Sequence, residues 1–225
     1  MENTVYIENY KAPPFDVKEI MRYAGVKELT EDMDALFREC MEEIKGKLFY
    51  KVCHQEVPLC FCDGYADMGF LKTASRDIQK NLKGCSSVIV FAATIGIELD
   101  RMIAKYSAVS PAKAVCFQAI GAERIESLCN EFCKDIEARK KSEGRSIMPR
   151  FSPGYGDFPL EAQKEIFSLL DPSRKIGLTL SGSLLMSPTK SVTAIMGVCD
   201  GKGVSIKKHS CMDCDKYDCE FRRKV

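Results

Sequence analysis

Strand-like and helix-like segments follow one another in irregular runs along this 225-residue chain, and that order limits its fold more than any other feature. Strands are predicted at residues 5–7, 48–53, 57–62, 87–93, 177–180 and 191–198. Helices are predicted after Asp16 and Thr30, at residues 72–83, 97–107 and 160–170, and from Pro111 towards residue 140. Because a doubly wound parallel sheet needs strict alternation of strands and helices, this order favours an α+β fold with an antiparallel sheet.

The polar residues His54, Gln55 and Glu56 separate two of these predicted strands, so we interpret them as the turn of a hairpin. The sequence contains neither an internal repeat nor a low-complexity linker. We therefore predict a single domain over residues 1–206, followed by a cysteine-rich C-terminal tail at residues 207–225.

Charge and hydropathy argue against nucleic acid and membranes as partners. Lysine and arginine total 33 and the acidic residues 32, without a basic stripe that would follow a phosphate backbone. The longest apolar run, at residues 88–97, is far shorter than the roughly 20 residues that span a bilayer. The first residues lack the basic and apolar regions of a secretory signal, so we expect a cytoplasmic protein.

Twelve cysteines are many for a protein expected in the cytoplasm, where disulfides are rare. Three of them, Cys211, Cys214 and Cys219, lie in the tail, where a Cys-x2-Cys spacing lets two thiolates reach one metal ion. The tail is therefore a candidate site for zinc or an iron–sulfur cluster, with Cys199 or His209 as a further ligand. The alternative is a reduced tail that binds no metal.

One short loop has the composition of a ligand-binding segment. Pro153 fixes its own φ and pushes Ser152 towards extended geometry, while Gly154 permits a positive φ or a close approach of the backbone to a ligand. Arg150 and Tyr155 add a guanidinium and a phenol within the same stretch. Such a loop suits a small polar ligand, and the alternative is an ordinary surface turn before a helix.

This loop resembles the Arg-Pro-Ala-Pro-Gly-Tyr-Pro motif of the activation (reactivation) domain of cobalamin-dependent methionine synthase. Arg150, Pro153, Gly154 and Tyr155 match it directly, and Ser152 takes the place of its alanine. The resemblance covers residues 115–195 well and the first hundred residues only loosely. The further matching positions are Pro159, Lys164, Leu169, Leu170, Asp171, Ile176, Gly177, Leu180, Ser183, Met186 and Pro188.

The resemblance implies a twisted antiparallel sheet flanked by helices and a site for S-adenosylmethionine. It places Glu126, on the long helix, at the position of a glutamate that would hold the ammonium of the ligand's amino-acid group. Arg150 would bind the carboxylate and Tyr155 would lie near the sulfonium or the adenosine, with Ser152 and Gly154 completing the loop. Without the resemblance, Glu126 would be interpreted as a solvated helix residue or a member of an exposed ion pair.

The function that the resemblance implies is reactivation of a cobalamin-dependent methionine synthase, in methionine biosynthesis. The partner protein carries the cobalamin, and a flavodoxin- or ferredoxin-like electron donor supports reductive methylation of the inactive cob(II)alamin form. The chain would then be a component of a methyltransferase system rather than a complete enzyme. The alternatives are a reactivase or accessory factor for another corrinoid methyltransferase, and a metal- or redox-sensing module in which the cysteine tail is primary.

The sequence departs from the family pattern in three places. Glu161 replaces the family's histidine, Ser187 replaces the tryptophan before the later proline, and the paired tyrosines near the family's C-terminus have no clear counterpart. Any role of that histidine is therefore not transferred, and we expect an S-adenosylmethionine site of altered shape or affinity.

Overall fold

Five antiparallel strands form the main sheet of the computed structural model, which describes residues 4–201. The strands, in chain order, are β1 (Tyr6–Tyr10), β2 (Tyr50–Pro58), β3 (Cys60–Cys62), β4 (Tyr65–Asp67), β5 (Lys72–Thr73), β6 (Ser87–Thr94), β7 (Arg145–Ile147), β8 (Thr179–Leu180), β9 (Met186–Ser187) and β10 (Ser191–Asp200). The main sheet has the order β1-β2-β6-β10-β7, while β3-β4-β5 and β8-β9 form two smaller sheets. The helices are α1 (Val17–Tyr23), α2 (Glu31–Ile44), α3 (Arg76–Asn81), α4 (Glu98–Val109), α5 (Pro111–Ser142), α6 (Gln163–Leu170) and α7 (Pro172–Ile176), with a 3-10 turn at Leu160–Ala162.

Alternate residues of the central strands point into two apolar clusters, one on each face of the main sheet. On one face, residues of α1, α2 and α5 pack with Phe91 and Ala93 of β6. On the other face, residues of α3, α6 and α7 pack with Val90 and Ala92. Because successive side chains of a strand point to opposite faces, β6 is buried along its whole length. The antiparallel pairing and the helices on both faces confirm the predicted fold class.

The predicted hairpin turn at His54-Gln55-Glu56 is wrong. These residues lie inside β2, which runs without interruption and pairs with β1 on one side and β6 on the other. The strand accommodates the Glu56 carboxylate because it has polar partners. Glu56 accepts a hydrogen bond from the Ser87 hydroxyl and forms ion pairs with Lys140 and Arg145.

The other predicted elements lie within a few residues of their predicted positions, whereas β4, β7, β9 and α7 were not predicted. The long helix predicted from Pro111 towards residue 140 is α5, which ends at Ser142. The helix predicted at 72–83 is shorter, because its first residues form β5 and Ser75 caps the start of α3. Within the part of the chain that the structure describes, none of the helices has both the length and the apolar character needed to cross a membrane.

The predicted domain boundary at residue 206 and the predicted tail ligands Cys211, Cys214 and Cys219 lie outside the described residues, so they stay predictions. Cys199, one of the two further ligands considered for the tail, is fully buried in β10 among apolar residues of the second cluster.

Candidate functional site

Arg150 faces α5 because the chain after β7 contains a bulge. Ile147 pairs with Val198 of β10 and Phe151 pairs with Ile195, so three intervening residues oppose only two on β10. A β-bulge of this kind reverses the side-chain alternation of the bulged strand. Ile147 accordingly packs in the α5 cluster and Phe151 against the opposite one, and the Arg150 side chain returns to the α5 face.

The Arg150 guanidinium contacts two side chains of α5. Its Nη2 group donates hydrogen bonds to the Glu126 carboxylate at 2.5 Å and to the Asn130 side-chain oxygen at 3.4 Å. Glu126 and Asn130 lie one helical turn apart and therefore share a face of α5. The Nη1 group of Arg150 is buried and has no hydrogen-bond partner among residues 4–201.

Two cysteine thiols, Cys129 and Cys133, lie near the same guanidinium. Burial raises the pKa of Cys129 to about 12 and the pKa of Cys133 to about 11. Both thiols are therefore protonated at neutral pH. The Glu126 carboxylate supplies the negative charge that balances Arg150.

A cleft of about 410 Å³ opens between α5, the Arg150 loop and the start of β10. Its volume falls in the range of roughly 300–1,000 Å³ that is typical of small-molecule sites. Four of the five predicted ligand residues line it, namely Glu126, Arg150, Ser152 and Tyr155. The other lining residues are Phe151, Pro153, Gln163, Met186, Ser191, Val192 and Thr193. The cleft therefore combines a charged pair, a phenol, several hydroxyl and amide groups, and apolar walls.

The fifth predicted residue, Gly154, does not line the cleft but shapes the loop that does. It has a φ of +88°, and its N–H donates a hydrogen bond to the Phe158 carbonyl at 2.9 Å. This turn holds Tyr155 at the rim of the cleft, where 68% of its surface is exposed. Whether the Gly154 backbone contacts a ligand stays a prediction.

The end of the loop is fixed against α3. The Asp157 carboxylate accepts hydrogen bonds from the N–H groups of Arg76 and Asp77, at 2.8 and 3.1 Å, and from the Ser75 hydroxyl. Gly156 packs so closely against the helix that an added Cβ would lie 2.1 Å from the Asp77 carboxylate. The cleft loop is therefore positioned by a helix that contributes no residue to the cleft lining.

Sequence reasoning missed two polar residues of the cleft wall, Thr193 and Gln163. Thr193 is 2% exposed and Gln163 5% exposed, and neither Thr193 Oγ1 nor Gln163 Oε1 has a hydrogen-bond partner within the described chain. A buried polar atom without a partner costs about 1–3 kcal/mol. Both residues line the cleft, although these two atoms themselves are closed to solvent. Nothing in the local sequence distinguishes either residue, because only the folded chain shows what surrounds them.

The edge of β10 adds backbone groups to this wall. Phe151 and Ile195 exchange both of their backbone hydrogen bonds, at 2.8 and 2.9 Å. In an antiparallel ladder, residues two apart point their N–H and C=O groups to the same side. The N–H and C=O groups of Thr193 therefore point to the same edge of β10 as those of Ile195. Thr193 lies beyond Ile195, the last residue of β10 that pairs with Phe151 at this edge.

No family model and no curated protein matches this chain. The structure is nevertheless similar to a solved structure described as the crystal structure of the MetH reactivation domain bound to AdoHcy. The TM-score is 0.59, the similarity covers 86% of this chain and 78% of that chain, and the sequences are 13% identical. The predicted resemblance is confirmed at the level of the fold, so this chain has the mixed α/β fold of that reactivation domain, with an antiparallel sheet and flanking helices.

Proposed function

We propose that this protein binds S-adenosylmethionine in the Arg150 cleft and acts as a reactivation module for a cobalamin-dependent methionine synthase. The observation that carries the proposal is the convergence of Glu126, Arg150, Ser152 and Tyr155 on one cleft. It is supported by a fold shared with a reactivation domain that was solved with AdoHcy, which differs from the proposed ligand by one methyl group.

The Glu126–Arg150 pair suits the amino-acid end of this ligand. The ammonium and carboxylate groups of an α-amino acid are attached to one carbon, so the groups that bind them must also be close together. Glu126 and Arg150 meet this requirement, because their charged atoms are in direct contact. Arg150 would bind the carboxylate, while Glu126 would accept hydrogen bonds from the ammonium.

The rest of the cleft suits an adenosine and a sulfonium. Tyr155 offers an exposed aromatic face, which attracts cations by its quadrupole. Met186 and Val192 give an apolar wall, and Thr193 and Gln163 add polar side chains to the same cleft. We therefore assign the amino-acid end to the charged pair and the nucleoside to the Thr193 side.

The wider role rests on the chemistry of the ligand and on the shared fold. S-adenosylmethionine would supply the methyl group for reductive methylation of an inactive cob(II)alamin carried by the partner protein, with one electron from a flavodoxin- or ferredoxin-like donor, and S-adenosylhomocysteine would leave. This chain would hold and orient the methyl donor, and the partner would carry the cobalamin. It would therefore be a component of a methyltransferase system and not a complete methionine synthase.

Calorimetric titration of the protein with S-adenosylmethionine tests the binding step. Arg150→Ala should weaken binding by about 1.5–3 kcal/mol, or roughly 10- to 150-fold, because it removes a charged hydrogen-bond donor. The matched control is Arg145→Ala on the preceding strand, whose guanidinium pairs with Glu56 and Glu143 outside the cleft lining. Equal affinities of the Arg150→Ala variant and the unaltered protein would contradict this assignment.

A reactivation assay tests the role. The protein, S-adenosylmethionine and a reductant should together restore turnover to a separately encoded synthase in its cob(II)alamin form. If the protein binds S-adenosylmethionine but recovery is equally good without it, the binding site stands and the methionine synthase role is wrong. Restoration of a different corrinoid methyltransferase in the same assay would identify that enzyme as the partner.

A further inference from the structure

The hairpin formed by β3 and β4 carries three metal-ligating side chains on one face. Cys60 lies directly opposite Asp67 across the two strands. Cys62 follows two residues after Cys60 and therefore points to the same face. The two sulfur atoms and an Asp67 carboxylate oxygen all lie within 4.8 Å of one another. None of these residues lines the Arg150 cleft.

The turn of the hairpin sets this arrangement. Asp63 and Gly64 have φ values of 51° and 79°, and two successive positive φ angles are what a two-residue type I′ turn requires. The turn pairs Cys62 with Tyr65, and this register puts the first cysteine opposite the aspartate. The Gln79 side chain of α3 donates a hydrogen bond to the Gly64 carbonyl at 3.0 Å and so holds the turn against the helix.

We propose that Cys60, Cys62 and Asp67 form a binding site for a thiophilic divalent cation, with Zn²⁺ as the preferred ion. Zinc binds cysteine sulfur at about 2.3 Å and carboxylate oxygen at about 2.0–2.2 Å, so the ligand atoms of one tetrahedral ion lie about 3.4–3.8 Å apart. The three side chains therefore need to close by no more than about 1.4 Å from the separation of 4.8 Å or less that they already have. Binding deprotonates both thiols, and two protons are released for each ion.

A metal ion fits this geometry better than a disulfide does. Residues i and i+2 of an extended strand have Cα atoms about 6.6 Å apart, with parallel side chains. That separation is at the far end of the range for disulfides, whose Cβ atoms must approach to about 3.8 Å. A cation placed between the two sulfurs requires no such approach.

The surroundings of the cluster also favour a cation. The Asp67 carboxylate is held in place by the Gly69 N–H at 2.8 Å. Lys72 of β5 lies opposite Asp67 of β4 in the strand register. Its ammonium, however, lies over the Tyr65 ring, 4.9 Å from the ring centroid.

The site has a different character from a structural zinc centre. Structural zinc ions have four closed protein ligands, whereas three protein ligands leave one position for water or an incoming group. The ligands also include two thiolates, which exclude the hard cations Mg²⁺ and Ca²⁺ as preferred occupants.

The test uses the full chain with Cys211→Ser, Cys214→Ser and Cys219→Ser, so that the tail thiols do not compete for metal. Anaerobic titration with Co²⁺ followed by Zn²⁺ should show one equivalent bound, sulfur-to-cobalt charge-transfer absorption, and loss of that absorption as zinc displaces cobalt. Cys60→Ser should abolish the absorption. Asp67→Asn keeps the acceptor for Gly69 but should weaken zinc binding at least about tenfold, since loss of even an outer partner of a metal ligand costs about 10–100-fold.

The matched control is Asp63→Asn, which makes the same charge change in the same hairpin at a turn position that tolerates asparagine. It should leave the zinc affinity unchanged. Equal stoichiometry and absorption in the Cys60→Ser variant, or displacement of zinc by millimolar Mg²⁺, would overturn the proposal. Titration of Cys60→Ser with S-adenosylmethionine separates this site from the proposed function, because that affinity should not change.

Discussion

At the scale of single residues, the cleft is defined by polar atoms that the protein itself does not satisfy. Thr193 Oγ1, Gln163 Oε1 and Arg150 Nη1 are all buried without a hydrogen-bond partner among residues 4–201. Folding has therefore removed these groups from water without full compensation, which lowers stability. A ligand that supplies the missing partners recovers part of that free energy as binding affinity.

Thr193→Val tests this view, because valine has nearly the shape of threonine without the hydroxyl. The free energy of unfolding should rise by up to about 1 kcal/mol, while S-adenosylmethionine binding should weaken by about 0.5–1.5 kcal/mol. Chemical denaturation and calorimetry measure the two quantities. Ser191→Ala is the control, since its hydroxyl lies 2.9 Å from Thr94 Oγ1 and 2.8 Å from the Pro188 carbonyl and should instead lower stability. A destabilised Thr193→Val variant would show that the hydroxyl has a partner in solution.

At the scale of elements, two devices position the cleft loop. The bulge between Ile147 and Phe151 turns Arg150 towards α5, and the Asp157 carboxylate fastens the other end of the loop to the start of α3. Neither the bulge nor the Asp157 anchor depends on contact with a ligand. Changes in α3 or in the bulge should therefore affect binding through the position of Arg150 and Tyr155.

Asp157→Asn tests the anchor. The amide group offers one acceptor oxygen where the carboxylate uses both, and its NH₂ group would face an N–H donor of Arg76 or Asp77. The melting temperature should fall, and S-adenosylmethionine should bind more weakly although Asp157 does not line the cleft. Asp32→Asn, in the first turn of α2, makes the same change away from the loop and should alter neither value. Unchanged binding in Asp157→Asn would mean that the loop keeps its position without the anchor.

At the scale of the whole molecule, a buried histidine of the main sheet contacts both the N-terminal strand β1 and the long helix α5. His54 lies in β2, where its ring stacks on Tyr6 of β1 with centroids 5.5 Å apart and contacts Phe132 of α5 at 5.2 Å. Its Nε2 atom lies 3.5 Å from the Glu8 carboxylate. Burial lowers the pKa of His54 despite the opposing effect of Glu8, and the nearby cations Arg139 and Lys140 lower it further.

The lowered pKa of His54 predicts that the protein loses stability in mild acid. Below about pH 6.5 the unfolded chain protonates His54 while the folded chain resists it, so the unfolded state binds more protons. The free energy of unfolding should therefore fall as the pH drops from 7 towards the folded-state pKa, by at most about 1.4 kcal/mol per pH unit. His54→Phe, which keeps an aromatic ring, should flatten the profile in urea denaturation. A profile that His54→Phe does not alter would assign the effect to other groups.

The sequence by itself determined the elements whose signals are local. The short apolar run of β6, rich in valine and isoleucine, is typical of a buried strand, and Pro111 at a first helical turn marked the start of α5. The loop chemistry was also local, since Pro153 and Gly154 restrict or free their own backbone angles whatever surrounds them. Arg150, Ser152 and Tyr155 of this loop line the cleft, whereas Glu126 was predicted from the family resemblance and not from a local signal.

Tertiary structure alone decided the features that depend on distant partners. His54-Gln55-Glu56 resembled a turn, and only pairing with β1 and β6 keeps these residues in one strand. The bulge before Arg150 exists only relative to the register of β10, and with it the contact to Glu126. Thr193 became a cleft residue because the pairing along that edge of β10 ends at the Phe151–Ile195 bridge. The physical reason is common to all three: strand register and burial are set by pairing between segments far apart in the chain, which no local pattern specifies.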